Sequence, residues 1–157
     1  MIMPNDTNPL NNLMGGNLMR WIDIAGGICA SKHCEAYTVT ASVDHVSFEH
    51  PIHTGDVITL RSCVTRAFTT SLEVYVEVHV SDIKGQKAKK TNHAYLTFVA
   101  IDEKTRTPIK IPLIRAVSSE EQKRYEGASR RRELRLILSG RMKPENATEM
   151  RTFFNEL

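Results

Sequence analysis

The sequence predicts an α+β domain in which a long central helix is wrapped by an antiparallel sheet and followed by a C-terminal helix. Three observations predict it. Leu72, Val74, Val76, Val78 and Val80 alternate with Glu73, Tyr75, Glu77 and His79, the period of two that gives a strand one buried and one wetter face. Residues 16–33 (GNLMRWIDIAGGICASKH) are instead apolar on nearly every side, the pattern of a helix that is covered rather than laid on a surface. Residues 118–138 open with Ser118, Ser119, Glu120 and Glu121 and run in helical composition to Ser139 and Gly140, a capped start and a glycine stop.

The elements follow in order. Residues 1–12 (MIMPNDTNPLNN) are rich in Asn, Asp and Pro, whose short side chains and fixed φ favour turns. Gly15 and Gly16 then open the apolar helix. Gly26 and Gly27 inside it cost about 1 kcal/mol each relative to Ala, which predicts a close approach of another backbone there. Residues 37–48 and 57–66 are β-branched runs separated by the turn residues 51–56, and 91–101 is a fourth strand after a Lys-rich loop. That loop (Lys84, Lys87, Lys89, Lys90) reads as a solvated surface. Pro108 and Pro112 separate the strands from the last helix, and a tail with Pro144, Phe153 and Phe154 ends the chain. Residues 1–115 are expected to form the helix-and-sheet domain, with 116–157 a helical extension packed on it.

The chain has 157 residues, 41% hydrophobic and 25% charged, which suits a single core. Its formal charge of +3, with acids nearly matching bases, does not supply a basic surface for nucleic acid. Cys29, Cys34 and Cys63 form no C-x-x-C pair, and the start lacks the basic and apolar regions of a secretory signal, so a reduced, cytoplasmic setting is expected. The longest apolar stretch, 13–30, is interrupted by Asn17, Arg20 and Asp23 and falls short of the about 20 clean apolar residues that a membrane span needs.

Asp23 is the most informative residue. A carboxylate in an apolar helix loses hydration unless it is paired, and Arg20, one turn earlier, is the nearby helical cation. The two form either an i,i+3 pair on a solvated stripe or a site in which Asp23 acts as general base or nucleophile; the latter is preferred. Gly15 and Gly16 mark a helix N-terminus, where free N–H groups could hold an oxyanion or form a plain turn. Asn8, Asn11 and Asn12 could orient water or a carbonyl, although loop asparagines commonly form turns. His45, His50 and His53 have no metal-ligand spacing, so no metal is expected. Arg130, Arg131 and Arg132 are either a solvated helix face or a phosphate ligand.

Asn8, residues 15–23 (GGNLMRWID), 39–44 (VTASVD), Phe48 with Pro51, Gly55 and Asp56, 65–71 (TRAFTTS) and 98–102 (FVAID) together resemble the acyl-CoA thioesterases of the hot-dog fold, in the cytosolic acyl-CoA hydrolase branch. The resemblance runs from about Asn5 to the SRRRELRL segment. It implies subunits that pair into a continuous sheet, commonly as three dimers in a hexamer, with the active site between subunits. It further implies that Asn8 of one protomer and Asp23 of another are the catalytic pair. The CoA-contacting stretches are then Ala41, Ser42 and Val43 with Thr70, Ser71 and Leu72. A C-terminal Arg for CoA phosphate matches Arg132, or Arg131 after a one-residue slip. Two features depart from the pattern: Met14 replaces a His that many relatives carry before the glycine pair, and the first strand is very short.

The implied reaction is hydrolysis of acyl-CoA to free acid and CoA, with no cofactor beyond the CoA of substrate and product. The carbonyl would point at the N–H groups of Gly15 and Gly16, Asp23 would activate water and Asn8 would position it; direct attack by Asp23 is the variant. A non-catalytic acyl-CoA sensor on the same fold would need no acid on the central helix. A hydratase or dehydratase would need a His paired with an acid, and Asp44, adjacent to His45, should point to the opposite face of its strand. Acyl length would follow from the packing of Met14, Met19, Trp21 and Phe48.

Overall fold

The computed structural model describes residues 1–86 and 88–155; Lys87, read above as part of the solvated loop, lies outside the described residues. After a short 3-10 turn, α1 (Gly15–Cys34) is followed by β1 (Tyr37–Phe48), β2 (Val57–Ala67), β3 (Ser71–Ser81) and β4 (Lys89–Ile101), then α2 (Ser119–Leu138) and α3 (Thr148–Asn155). The strands form one sheet in the order β1-β4-β3-β2, every neighbouring pair antiparallel. This is the α+β architecture expected, with α1 across one face and α2 on the other. No described helix is long and apolar enough to cross a membrane.

The core lies between α1 and the sheet. Leu18, Ile22, Gly26 and Ala30 recur every four residues and form the helix stripe that meets Leu72, Val74, Val76 and Val78 of β3 and Leu96, Phe98 and Ala100 of β4. The close approach at the glycine pair is made by a ring rather than by backbone: a Cβ on Gly26 would stand 3.0 and 3.1 Å from two ring carbons of Phe98. The expectation that α1 is covered all round is also corrected. Four strands cover one side of a helix, so Ile24 and Ile28 remain 47% and 55% exposed. Tyr37, Val39 and Val43 are also exposed on the edge strand β1, whose outer backbone groups have no ladder partner among the described residues.

The second face of β3 is not the wetter one its alternation suggests. Glu73 is 1% exposed and Tyr75 4%, because α2 lies over them. Glu73 accepts from Arg131 Nε and Nη2 at 2.9 and 2.7 Å and from Thr65 Oγ1 at 2.5 Å, the pairing a buried carboxylate requires. Lys90 likewise leaves the solvated loop pattern: its ammonium donates to Tyr75 Oη at 2.5 Å and stands 3.3 Å from Glu77. At the start of α2 the Ser118 hydroxyl accepts from Glu121 N while the Glu121 carboxylate accepts from Ser118 N, a reciprocal cap. The tail forms a helix because the buried Glu133 carboxylate accepts from the N–H groups of Glu149 and Met150 at the start of α3.

Candidate active site

The residues expected to carry chemistry fall into two places on the chain. The first is the N-terminal end of α1. Asn8 Oδ1 accepts from Leu10 N at 3.0 Å and from Asn12 N at 3.2 Å, so the short polar side chain closes its own turn. That commits the oxygen and leaves Nδ2, a donor, without a partner among the described residues. Asn11 adopts the left-handed conformation at φ 58°, and Asn12 bridges to His53, so these two asparagines shape the turn. Met14 is the cap of α1 and gives it no side-chain hydrogen bond. The N–H groups of Gly15 and Gly16 therefore have no acceptor among the described residues and carry the positive end of a twenty-residue helix. Nothing lies within 4 Å of where a Cβ on Gly16 would be, so no packing demands glycine there, while the Phe48 ring lies beside Gly15. A cavity of about 240 Å³ opens here, lined by Gly15, Phe48, His50 and Asn92.

The second place is the groove of about 450 Å³ between α1 and the β1 edge, lined by Asp23, Ile24, Gly27, Ile28, Thr38 and Thr40. Asp23 is half-buried and makes no ion pair with Arg20 among the described residues. Its partner is Thr40, whose hydroxyl donates to Asp23 Oδ1 at 2.6 Å. One carboxylate oxygen is thus held from the sheet, and the other is free toward the groove. Thr40 is the site residue that reading the sequence missed.

These two places cannot serve one carbonyl within one chain. Gly15 and Asp23 are eight residues apart on a continuous helix, about 12 Å along its axis. A site using both must take them from two copies, and the apolar surface of Ile24 and Ile28 beside Asp23 is of the kind a second copy covers.

The stretches expected to contact CoA lie in one band across the sheet. Ser42 pairs with Thr97 and Thr97 with Glu73, while Ser71 pairs with Val99, which pairs with Val39; such positions are two strands, about 10 Å, apart. Ala41 and Val43 are exposed, and Ser42 Oγ donates to Asp44 at 2.7 Å. Leu72 differs from its expectation: the whole residue is 0% exposed in the core, so in the single chain it has no surface to offer a ligand. The three arginines go to three different places, as the 100° step of a helix requires. Arg130 stacks on Phe153 of α3, Arg131 is held by Glu73 and lies 3.8 Å from the Tyr95 ring centroid, and Arg132 lies over the ring of Phe68, whose N–H donates to Ser71 O. Arg131 is therefore paired to a buried acid of the fold, and it also lines the cavity of about 590 Å³ with Ser42 and Val43. Arg132 has no carboxylate partner among the described residues, and its pKa is lowered by burial and by the cations of Arg135, Arg141 and Arg66 around it. Glu133 is the one acid that opposes this crowding at Arg132, and an excess of cations attracts an anion.

Asp44 and His45 do not point to opposite faces as the strand period predicts. A bulge between Val43 and His45 sends both into one cavity of about 590 Å³ under α2. Asp44 there pairs with Arg135 at 2.5 Å and makes no hydrogen bond to His45, so these two neighbours do not form the His–acid pair considered for a hydratase. The three cysteines are free thiols, and burial pushes the Cys29 and Cys34 thiols up, away from nucleophilic use. No group of three or more His, Cys, Asp and Glu among the described residues could hold a metal ion.

Comparison with known proteins gives the same direction. The model of the thioesterase superfamily matches residues 10–86. The uncharacterized acyl-CoA thioester hydrolase YkhA of Bacillus subtilis is 39% identical over 120 residues, covering 76% of this chain and 69% of its own. Among solved structures, an apo-hexameric acyl-CoA thioesterase superposes with a TM-score of 0.84 at 35% identity, covering 88% of each chain. The acyl-CoA hydrolase of Staphylococcus aureus, solved with butyryl coenzyme A and coenzyme A, superposes with a TM-score of 0.82 at 37% identity, covering 89% of this chain and 87% of its own. Structures of that enzyme include alanine variants of an asparagine, of an aspartate fifteen residues later and of a threonine seventeen residues beyond it. Asn8, Asp23 and Thr40 stand at those spacings.

Proposed function

Because the chain belongs to the thioesterase superfamily, as an acyl-CoA thioester hydrolase of the hot-dog fold, we propose that it hydrolyses acyl-CoA at sites completed by two copies of itself. One copy supplies Asn8, Gly15 and Gly16, and the other supplies Asp23 and Thr40. The observation that carries the division is the separation of the two groups along a single helix.

The thioester carbonyl lies against the free N–H groups of Gly15 and Gly16, which face the place where negative charge develops. Asn8 joins them as a donor through Nδ2, since its oxygen is held by Leu10 and Asn12; this moves Asn8 from positioning water to stabilising the carbonyl oxygen. Asp23, with Oδ1 fixed by Thr40, uses Oδ2 to accept a proton from water as the water oxygen bonds to the carbonyl carbon. The tetrahedral intermediate collapses, the C–S bond breaks, and the CoA thiolate leaves and takes the proton from Asp23. Arg132, over the ring of Phe68, holds a CoA phosphate away from the reacting atoms.

The assembly is at least a dimer, and the hexameric state of the structural neighbour supports three dimers around one centre. A cytoplasmic setting agrees with a CoA substrate and unpaired thiols. The test is Asp23→Asn, which keeps the shape and removes the base. It should lower kcat by about 100-fold or more with the fold intact, whereas retention of more than about a tenth of the activity would remove Asp23 from this role.

A further inference from the structure

In a regular strand Thr40, Ser42 and Asp44 would all point to one face. They do not, because β1 carries two bulges. Thr40 pairs with Phe98 and faces α1, where it meets Asp23. The register then shifts between Thr40 and Ser42, with Ala41 as the extra residue, so that Ser42 sits opposite Thr97 and faces α2. A second shift, with Asp44 as the extra residue, restores the parity, and Val46 packs in the core again. The four residues between Thr40 and His45 are thus turned over relative to the strand.

A bulge leaves a residue unpaired in the ladder and needs something to hold it. Here Asp44 Oδ1 accepts from Ser42 Oγ at 2.7 Å, and Oδ2 accepts from Thr97 Oγ1 at 3.1 Å and from Arg135 Nη1 at 2.5 Å; Arg135 Nη1 also reaches Thr97 Oγ1 at 2.7 Å. The carboxylate is nearly buried, at 9% side-chain exposure, so the contacts are made out of water. Arg135 comes from the last turn of α2, ninety-one residues from Asp44 in sequence. The cluster clamps both sides of the turned segment, and the residue next to it is Thr40.

We propose that Arg135 and Asp44 are positioning residues for hydrolysis: by clamping the bulged segment of β1 from the α2 side, they aim the Thr40 hydroxyl at Asp23 on the other side of the sheet. The proposal rests on Asp23 as the base. A clamp that acts through Thr40 has an effect only while Thr40 has its hydroxyl, which separates it from a residue that binds CoA or merely stabilises the fold.

The experiment is a kinetic double-mutant cycle on the full chain with acyl-CoA as substrate. Arg135→Ala is expected to lower kcat by about tenfold with KM within about twofold of wild type, and Arg135→Lys to recover part of the loss. In a Thr40→Val background the same Arg135→Ala change should alter kcat by less than about twofold. Asp44→Asn should repeat the pattern, and if Arg135→Ala fails to fold, Asp44→Asn and Arg135→Lys carry the same cycle. Equal loss in both backgrounds, or a raised KM at unchanged kcat, overturns the proposal. Asp23→Asn is measured in the same series: full activity in that variant defeats the parent reading instead, whatever Arg135 does.

Discussion

Thr40 on the edge strand and Asp23 in the middle of α1 are joined by a 2.6 Å hydrogen bond in which the hydroxyl donates to Oδ1. The bond ties the one acid of an apolar helix segment to the strand that a second subunit would cover, and it fixes which carboxylate oxygen faces the groove. Thr40→Val keeps the volume and removes the donor. We expect kcat to fall by about tenfold with KM little changed, because a misplaced base loses rate and not ground-state binding. Thr40→Ser should retain most of the activity; a Val variant with wild-type kcat would show that Asp23 needs no such partner.

Arg131 and Arg132 are adjacent in sequence and opposite in consequence. Arg132→Ala should raise KM for acyl-CoA with little change in kcat, and the effect should vanish on an acyl-pantetheine that lacks the nucleotide. Arg131→Ala leaves Glu73 buried without its bidentate partner and should cost about 3–5 kcal/mol of stability, read by denaturant unfolding. Loss of CoA binding in the Arg131 variant at unchanged stability would reverse these assignments.

The Phe98 ring occupies the space over Gly26, so a methyl group there must displace it. Gly26→Ala is expected to destabilise the protein by about 1–3 kcal/mol despite the better helix propensity of alanine. An unfolding midpoint at or above wild type would mean that the ring moves aside at no cost.

What could be read without coordinates depended on local pattern. The alternation of β3, the apolar run of α1 with Asp23 inside it, and the Ser118–Glu121 cap are set by neighbours within a few residues, and each appears where its pattern places it. Thr40 was not readable because it points to Asp23 only through a pairing with Phe98 fifty-eight residues on. The shared face of Asp44 and His45 was hidden for the same reason, since a bulge breaks the period of two and leaves no mark in composition. α3 was missed because eight residues rarely hold a helix alone, and its cap is the remote Glu133. Glu73 looked solvent-facing until α2 was placed over it.

The central claim is that Asn8 and Asp23 act together from different copies of the chain, and mixing two disabled chains tests it most directly. Asn8→Ala and Asp23→Ala, each nearly inactive alone, are co-expressed, mixed assemblies are verified by native mass spectrometry, and acyl-CoA hydrolysis is measured. In a mixed dimer one site combines an intact Asn8 with an intact Asp23 and the other has neither, so activity should return to about half of the wild-type value per dimer, and to about a quarter in a random mixture where half of the dimers are mixed. Verified mixed dimers with no activity above either parent would contradict the account, because the two residues would then have to work within one chain.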